Sequence, residues 1–338
     1  MHSASPDLCE RVLVKAPFHF TRDQLPIQPA DADYVVRVDV CGLCKSDLHA
    51  AQNWASDWQE VGHEFGGTIV SARQDDGRFA VGDRVAVRNA SDCGECGRCL
   101  AGIPRRCERL VVNMQGFRDY AVCDERSLAD ASGLDDDGLG LVEPTNVALD
   151  LLHASDLQAS HRVTVIGAGT LGLMTAYFAQ HVFNVPEVVV LGRAASSPLA
   201  SAIGINEYAS FDGNTPAARR HADRVIVTTP PSTLDRALAL LRPGGTVITG
   251  GLDSFDRCRV KIDVDKLIFG QHTLKGVCAA PNQHFDEAIA LLRRHSVVLR
   301  RLISLRVSRR NIESTLEAWG GRVHYGGKTI VLRDGVAH

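Results

Sequence analysis

The sequence lacks the features that would place it among secreted, fibrous or nucleic-acid-binding proteins. Its first residues, MHSASPDLCERVLVKAP, include Asp7 and Glu10 and no apolar run long enough for a signal peptide. No internal repeat or low-complexity tract is visible. The formal net charge is −3, so a basic surface for nucleic acid is not expected. These absences predict a cytoplasmic globular protein.

Charged residues are missing from residues 163–183, VTVIGAGTLGLMTAYFAQHVF, a segment about as long as a bilayer crossing. Glycines cluster near its start, however, and a β-branched run precedes them. This order is typical of a buried strand that turns into a buried helix. We therefore predict neither a membrane span nor a membrane partner.

The length of 338 residues, with 45% hydrophobic and 23% charged residues, suits two globular domains of α/β class. Short β-like runs between Gly, Asp and Pro turns predict a mostly antiparallel β domain in residues 1–150. In residues 151–280, apolar strands alternate with helices, which predicts a doubly wound parallel sheet. Residues 281–338 begin with an amphipathic helix and end in short strands. We expect this last segment to return to the first domain.

A glycine pattern opens the second domain. The segment GAGTLG has the form G-x-G-x-x-G, directly after the strand-like RVTVI and before a helix, which is the context that a dinucleotide fingerprint requires. Its phosphates would lie at the helix N-terminus. A purely structural glycine turn is the alternative. The candidate cofactor-binding residues are Gly167, Gly169, Thr170, Leu171 and Gly172.

An acidic residue is missing where such a fold would normally bind the ribose 2′-hydroxyl, about 20 residues beyond the last glycine. The valine-rich run ends instead in Gly192 and Arg193, followed by Ser196 and Ser197. Glycine cannot repel a 2′-phosphate, and a guanidinium with a nearby hydroxyl suits one. We predict a preference for NADP(H) over NAD(H). In the alternative, Arg193 is solvated and both cofactors are accepted.

Four of the ten cysteines fall within 15 residues and follow the spacing C-x2-C-x2-C-x7-C. Short C-x2-C steps can wrap thiolates around one zinc ion, and a closed shell of four leaves no open coordination position. An iron–sulfur cluster is compatible with the ligand type alone. We predict a structural zinc in a lobe of residues 93–107, bound by Cys93, Cys96, Cys99 and Cys107.

A second, mixed set of possible ligands is scattered through the first domain. Cys44 and His63, with one or both of Glu64 and Glu143, offer sulfur, nitrogen and oxygen. Such a set with one open position is what a catalytic zinc needs. Taken singly, each residue has an ordinary structural explanation, but the combination with the two preceding motifs favours a metal site.

In these motifs the sequence resembles the zinc-dependent medium-chain dehydrogenases/reductases, in the alcohol, polyol and threonine dehydrogenase group. The matching segments span nearly the whole chain: GLCKSDLH, GHE, GDRV, the cysteine lobe, EP, GAGTLG and the closing GKTIV. The resemblance implies a GroES-like β domain made from both ends of the chain around a central Rossmann domain. It also implies two zinc ions per subunit and a homodimer or homotetramer.

By the same resemblance, Cys44 and His63 are expected to be catalytic zinc ligands. Glu64 matches a carboxylate that ligates in some members, and Glu143 matches the acid near the metal in the polyol-type branch. Both alternatives stay open. Asp47 matches a residue that orients a ligand.

The resemblance also implies a proton path. Ser46 matches the hydroxyl that accepts the substrate proton, and His49 the outer member of the relay. Lys45 lies where some members place a cation near the cofactor pyrophosphate. With zinc acting as a Lewis acid, hydride would pass between the nicotinamide and the substrate carbon.

The expected function is therefore an NADP(H)-preferring zinc oxidoreductase acting on a secondary alcohol or ketone of a small hydroxylated molecule, of sugar, cyclitol or amino-sugar type. An NAD-linked polyol or alcohol dehydrogenase of catabolism is an alternative, and a non-catalytic cofactor-sensing scaffold a more remote one. Only 13 residues separate His49 from His63, fewer than is usual in the family. Trp54 and Trp58 in this shortened loop either line the substrate pocket or pack the loop down.

Overall fold

The computed structural model describes residues 8–27, 34–72, 77–211, 221–253, 258–321 and 326–335. The chain forms two compact units. The first contains residues 1–143, 280–296 and 303–338, and the second contains residues 144–279 and 297–302.

The first unit is built mainly from antiparallel strands, as the alternation of short β-like runs and turns predicted. Its opening strands are β1 (Leu8–Lys15), β2 (His19–Pro26), β3 (Tyr34–Leu43), β4 (Gln59–Glu60), β5 (Glu64–Ala72), β6 (Arg84–Val87), β7 (Ala90–Ser91), β8 (Val111–Val112), β9 (Tyr120–Cys123) and β10 (Leu128–Asp130). Its short helices here are α1 (Lys45–His49), α2 (Gly97–Leu100) and α3 (Asp136–Leu139).

The second unit contains a parallel sheet of the predicted doubly wound type. Its strands are β11 (Arg162–Ile166), β12 (Glu187–Gly192), β13 (Glu207–Ser210), β14 (Ala222–Val227), β15 (Leu241–Thr249) and β16 (Thr273–Gly276), with helices α4 (Val142–Ala154), α5 (Thr170–His181), α6 (Ser197–Ala202), α7 (Leu234–Ala239) and α8 (Val264–Phe269). Among the described residues the strand order is β13-β12-β11-β14-β15-β16. This is the order of a dinucleotide-binding sheet, whose ligands bind at the carboxyl ends of the central strands.

The end of the chain supplies α9 (Phe285–Leu299), β17 (Ile303–Ser308), α10 (Ile312–Gly320) and β18 (Lys328–Leu332). Strand β18 pairs antiparallel with β3, opposite residues 40–43, and parallel with β17. The described strands of this larger sheet follow the order β10-β6-β5-β3-β18-β17, and β9 also pairs with β3. The last strand therefore joins the sheet that contains β3, while β1 and β2 pair with β4 in a separate sheet of three strands.

The boundaries between the units differ from those expected from the sequence, which were 150/151 and 280/281. The structure places them at 143/144 and 279/280, and it assigns residues 297–302 to the second unit. The first difference arises because α4, which precedes the first parallel strand, already belongs mostly to the second unit.

Each unit has a core of its own. Strand β3 is buried along nearly its whole length, and Phe65, Ile69, Phe117 and Leu128 pack into the same cluster. In the second unit, β11, β12 and β14 contribute Ile166, Val189, Leu191, Val225 and Val227. Of the helices that the structure describes, none combines the length and hydrophobicity that a membrane crossing would need.

Candidate catalytic, metal and cofactor sites

The glycine turn lies between β11 and α5, as the sequence predicts. Gly167 has φ +117°, a conformation that a residue with a side chain rarely adopts. A Cβ on Gly172 would lie 1.9 Å from the Gly167 carbonyl oxygen, so only glycine lets the helix approach the turn this closely. A Cβ on Gly169 would meet nothing within 4 Å. The space beside the helix N-terminus is open, which suits a pyrophosphate held by backbone N–H groups.

The predicted 2′-phosphate residues lie at the end of β12. Gly192 pairs with Ser210 of β13, and Arg193 follows in extended conformation with its side chain exposed. Ser197 begins α6 and is half-buried, whereas Ser196 is buried. One residue here was missed by sequence reasoning. The phenol of Tyr208, from β13, donates a hydrogen bond to the Arg193 carbonyl oxygen.

The four lobe cysteines converge around one point. The Sγ–Sγ distances are 3.5 Å for Cys96–Cys99 and for Cys93–Cys107, 3.9 Å for Cys93–Cys99 and 4.0 Å for Cys96–Cys107. A tetrahedral zinc with bonds of about 2.3 Å would hold its sulfurs about 3.8 Å apart. Backbone N–H groups, that of Glu95 first, lower the pKa of Cys93 to about 6, whereas burial and the neighbouring thiols raise the pKa of Cys99 to about 12.

The lobe around these cysteines has almost no core. Within residues 92–110, which the structure describes throughout, only Cys96 is buried, and Leu100 is 77% exposed. Gly94 and Gly102 turn the chain at φ +72° and +73°. Hydrophobic burial therefore contributes little to the lobe, and a bound metal would supply the stabilisation that such a segment requires. The geometry fits zinc, and the zinc itself stays a prediction.

The mixed set of ligands comes together in the first unit. Cys44, His63 and Glu64 each offer a ligand atom within 4.8 Å of the others. Cys44 precedes α1, His63 directly precedes β5, and Glu64 is the first residue of β5, opposite Gly42 of β3. His63 is 8% exposed and Glu64 3% exposed, so the group is shielded from water on most sides.

Asp47 connects the segments that carry these ligands. Its Oδ2 accepts the Cys44 N–H at 2.9 Å, and its Oδ1 accepts the Gly62 N–H at 3.0 Å. The same Oδ1 lies 3.5 Å from His63 Nδ1. The two atoms form no hydrogen bond at this distance, but a carboxylate beside Nδ1 leaves the other nitrogen, Nε2, for a metal. This is the arrangement expected of a residue that orients a ligand.

Lys328, to which the sequence analysis assigned no role, contacts the Glu64 carboxylate. It begins β18, and its Nζ donates to Glu64 Oε2 across Gly42. A Cβ on Gly42 would lie 2.2 Å from Glu64 Oε2 and 2.7 Å from Lys328 Cε, so glycine is required between them. Burial alone would lower the pKa of Lys328, but Glu64, Cys44 and Glu143 raise it above its usual value.

Glu143 lies outside the group formed by Cys44, His63 and Glu64. It is 6% exposed, and its Oε1 accepts a hydrogen bond from Asn89 Nδ2 at 3.3 Å. Its effect on the pKa of Lys328 shows that it belongs to the same electrostatic environment. Of the two carboxylates left open by the sequence, the structure brings Glu64 to the sulfur of Cys44 and the imidazole of His63.

Ser46 and His49 lie three residues apart in α1, a spacing that places side chains on the same side of a helix. Ser46 Oγ is buried and has no hydrogen-bond partner in the described part of the chain. The His49 ring stacks on Trp54, with ring centroids 5.0 Å apart and planes at 21°. Trp54 therefore packs against the histidine, whereas Trp58 is 44% exposed. Lys45, the first residue of α1, is exposed.

The donor set of this group fits a zinc ion. Burial alone would lower the pKa of His63, yet Asp47 and Cys44 raise it well above its usual value. The neighbours that favour a positive charge on the ring also favour a metal cation beside it. Sulfur, nitrogen and carboxylate oxygen are ligands that zinc accepts.

Comparisons with known proteins show what this chain is similar to. The family model of the alcohol dehydrogenase GroES-like domain matches residues 30–133. Scyllo-inosose 3-dehydrogenase of Thermotoga maritima is 30% identical over 179 residues, 44% of this chain and 45% of that protein. L-galactonate-5-dehydrogenase of Escherichia coli is 26% identical over 251 residues, 68% of this chain and 71% of that protein.

Solved structures show the same fold over almost the whole chain. The RspB alcohol dehydrogenase of Escherichia coli, complexed with NADH, superposes with a TM-score of 0.85 at 22% identity, over 97% of this chain and 100% of that one. A zinc-binding dehydrogenase of Sinorhizobium meliloti, bound to NADP, has a TM-score of 0.84 at 21% identity, over the same shares. The two neighbours carry different nicotinamide cofactors, so the fold alone does not select one.

Proposed function

The chain belongs to the zinc-dependent medium-chain dehydrogenases/reductases, in the alcohol, polyol and threonine dehydrogenase group, and from this premise we propose that it is an NADP(H)-preferring oxidoreductase of secondary alcohols and ketones. The observation that carries the cofactor preference is the end of β12, where Gly192 and the exposed Arg193 stand in place of an acid. The substrate proposed is a small polyhydroxylated molecule. The names of the inosose and galactonate dehydrogenase relatives support this class.

We assign the catalytic zinc to Cys44, His63 and Glu64, with Asp47 orienting the histidine. Zinc held there would supply Lewis acidity at the substrate oxygen, and NADP(H) would supply or accept the hydride. Lys328 keeps the Glu64 carboxylate in place and balances part of its charge. Glu143, held by Asn89, is assigned a supporting position near the metal.

The proton of the substrate hydroxyl is assigned to Ser46. Its Oγ is buried without a protein partner, so a hydrogen bond to substrate would satisfy an otherwise unpaired group. From Ser46 the proton passes along the same side of α1 towards His49, whose ring is held by Trp54. In the reducing direction the same groups return a proton to the carbonyl oxygen.

The cofactor proposal is tested by measuring kcat/KM with NADP and with NAD on a panel of sugars, cyclitols and simple alcohols. We expect Arg193→Ala to lower kcat/KM for NADP by about tenfold to a hundredfold, because a charge-assisted hydrogen bond contributes about 1.5–3 kcal/mol. Activity with NAD should change little. The control is Arg242→Ala. Arg242 lies near the amino end of β15, away from the carboxyl ends of the strands, and pairs with Asp223.

A wild-type preference for NAD would overturn the NADP(H) assignment and favour an NAD-linked polyol dehydrogenase. No turnover on any alcohol by a protein with its full zinc content would favour a cofactor-sensing scaffold instead.

We further propose that the protein is a homodimer that pairs through β16. Within the described residues this strand pairs only with β15, and all four of its residues are exposed. Beside it, α8 exposes Phe269 (85%), Ile268 (62%) and Val264 (58%). An unprotected edge strand next to exposed apolar side chains is suited to pairing with another copy of itself.

Light scattering after size exclusion tests this interface. Phe269→Asp is expected to shift the protein towards monomers. The control is Val81→Asp, which places the same charge at an exposed apolar residue of the first unit and should leave the mass unchanged. If Phe269→Asp kept the wild-type mass, dimerisation through this strand would be refuted.

A further inference from the structure

Tyr208 occupies the space that a side chain at position 192 would need. In the parallel pairing of β12 and β13, Tyr208 lies opposite Val190, and Gly192 lies opposite Ser210. Tyr208 and position 192 are therefore diagonal neighbours on one face of the sheet. A Cβ on residue 192 would lie 2.3 Å from the Tyr208 hydroxyl oxygen and 3.0 Å from its Cζ. The Ala168 Cβ, 2.3 Å away, closes the other side.

The same phenol also fixes the backbone that carries Arg193. The Arg193 carbonyl oxygen accepts the Tyr208 hydroxyl and, at 2.9 Å, the Ser196 N–H. Burial raises the pKa of Tyr208, so the phenol stays protonated and remains a donor at neutral pH. The Arg193 side chain makes no hydrogen bond or ion pair with any residue that the structure describes. Its backbone is held at two points while its guanidinium points to solvent.

We propose that Tyr208 is the positioning residue that determines cofactor specificity in this protein. It acts in two ways. It excludes from position 192 the carboxylate that would bind a ribose 2′-hydroxyl, and it holds the Arg193 turn so that the guanidinium is presented to a 2′-phosphate. This inference rests on the proposed NADP(H) preference and adds the residue that enforces it.

A consequence is that the preference cannot be reversed at position 192 alone. In Gly192→Asp the new Cβ would overlap both Tyr208 and Ala168, so the turn would have to move and take Arg193 with it. An acid at position 192 has room to bind the 2′-hydroxyl only when both neighbouring side chains are made smaller. The triple variant Ala168→Gly/Gly192→Asp/Tyr208→Ala does this.

The test measures binding of two adenosine probes by calorimetry on the full-length zinc-loaded protein, so it needs no substrate. The probes are 2′,5′-ADP, which carries the 2′-phosphate, and 5′-AMP, which has a free 2′-hydroxyl. Tyr208→Phe keeps the ring and removes the hydroxyl, with its hydrogen bonds to the Arg193 carbonyl and the Ser196 side chain. We expect it to reduce the preference for 2′,5′-ADP by roughly threefold to tenfold. Tyr177→Phe, in the same unit, is the matched control and should leave the preference unchanged.

The position-192 variants complete the test. Gly192→Asp is expected to weaken binding of both probes, and the triple variant to bind 5′-AMP more tightly than 2′,5′-ADP. Wild-type protein that binds 5′-AMP at least as tightly as 2′,5′-ADP would overturn the NADP(H) proposal itself. Wild-type protein that prefers 2′,5′-ADP, with the preference unchanged in Tyr208→Phe and binding unimpaired in Gly192→Asp, would overturn the role of Tyr208 alone.

Discussion

In zinc-free protein, replacing Lys328 by methionine would leave the buried Glu64 carboxylate without its positive partner. The two side chains are 5% and 3% exposed and lie at the starts of β18 and β5, on either side of β3. Removing one member of a buried ion pair typically costs about 3–5 kcal/mol, because the remaining charge is desolvated and unbalanced. Since about 1.4 kcal/mol is a factor of ten, we expect the unfolding equilibrium constant of the first unit to rise about a hundredfold or more.

The measurement can be confined to the unit that contains the pair. All three tryptophans, Trp54, Trp58 and Trp319, belong to the first unit, so tryptophan fluorescence during urea unfolding reports on that unit alone. Lys15→Met is the matched control. Lys15 pairs with an almost fully exposed Asp57 at 3.5 Å, and its loss should leave the unfolding midpoint essentially unchanged.

A double-mutant cycle distinguishes the loss of the Glu64–Lys328 ion pair from a loss of side-chain packing. Glu64→Gln and Lys328→Met should each destabilise the first unit, and the double variant should be less destabilised than the sum of the two, because neither charge then remains buried alone. An additive cycle, or a loss below about 1 kcal/mol in Lys328→Met, would show that the contact does not act as a buried ion pair.

Three further predictions concern the metal sites and the proton path. Ser46→Ala should retain zinc and NADPH binding but lower kcat by about 10²–10⁴, and an unchanged kcat would exclude Ser46 from the proton path. Cys99→Ser should lose one zinc per subunit and lower the melting temperature or disrupt the oligomer, whereas Cys258→Ser should do neither; full zinc content in Cys99→Ser would refute the lobe site. Glu64→Gln should lower zinc affinity at the catalytic position more than Glu143→Gln, and the opposite order in titrations would make Glu143 the ligand.

Much of the fold was predictable because the signals are local. The apolar run of β11, the glycine turn and the helix α5 follow one another along the chain, and each has its own sequence pattern. The four lobe cysteines were predicted as one set for the same reason, since short spacing brings them together whatever surrounds them. The domain boundary was less accurate because α4 has no sequence signal that assigns it to the parallel sheet rather than to the β domain.

The partners that hold the site in place could not be predicted, because they come from distant parts of the chain. Lys328 reaches Glu64 only because β18 pairs with β3, which brings together residues 264 positions apart. Asn89 contacts Glu143 from a different loop, and Tyr208 contacts the Arg193 backbone only through the pairing of β12 with β13. The sequence near these residues indicates little about their contacts. Lys328 is unusual only as a lysine that begins an apolar strand, and Tyr208 only as a tyrosine within a short strand.

Three buried carboxylates lie in the same unit as Cys44 and His63, and their charges bear on the proposed metal site. Asp47 accepts two backbone N–H groups, Glu64 faces Lys328, and Glu143 accepts from a neutral amide. Neutral donors satisfy the hydrogen-bonding capacity of a carboxylate but leave its charge in place, and buried charge requires an opposite charge nearby. Lys328 supplies one positive charge, and a thiolate at Cys44 would add a further negative one. A divalent cation at the proposed site would balance negative charge here, and it would then stabilise the β domain as well as activate the substrate.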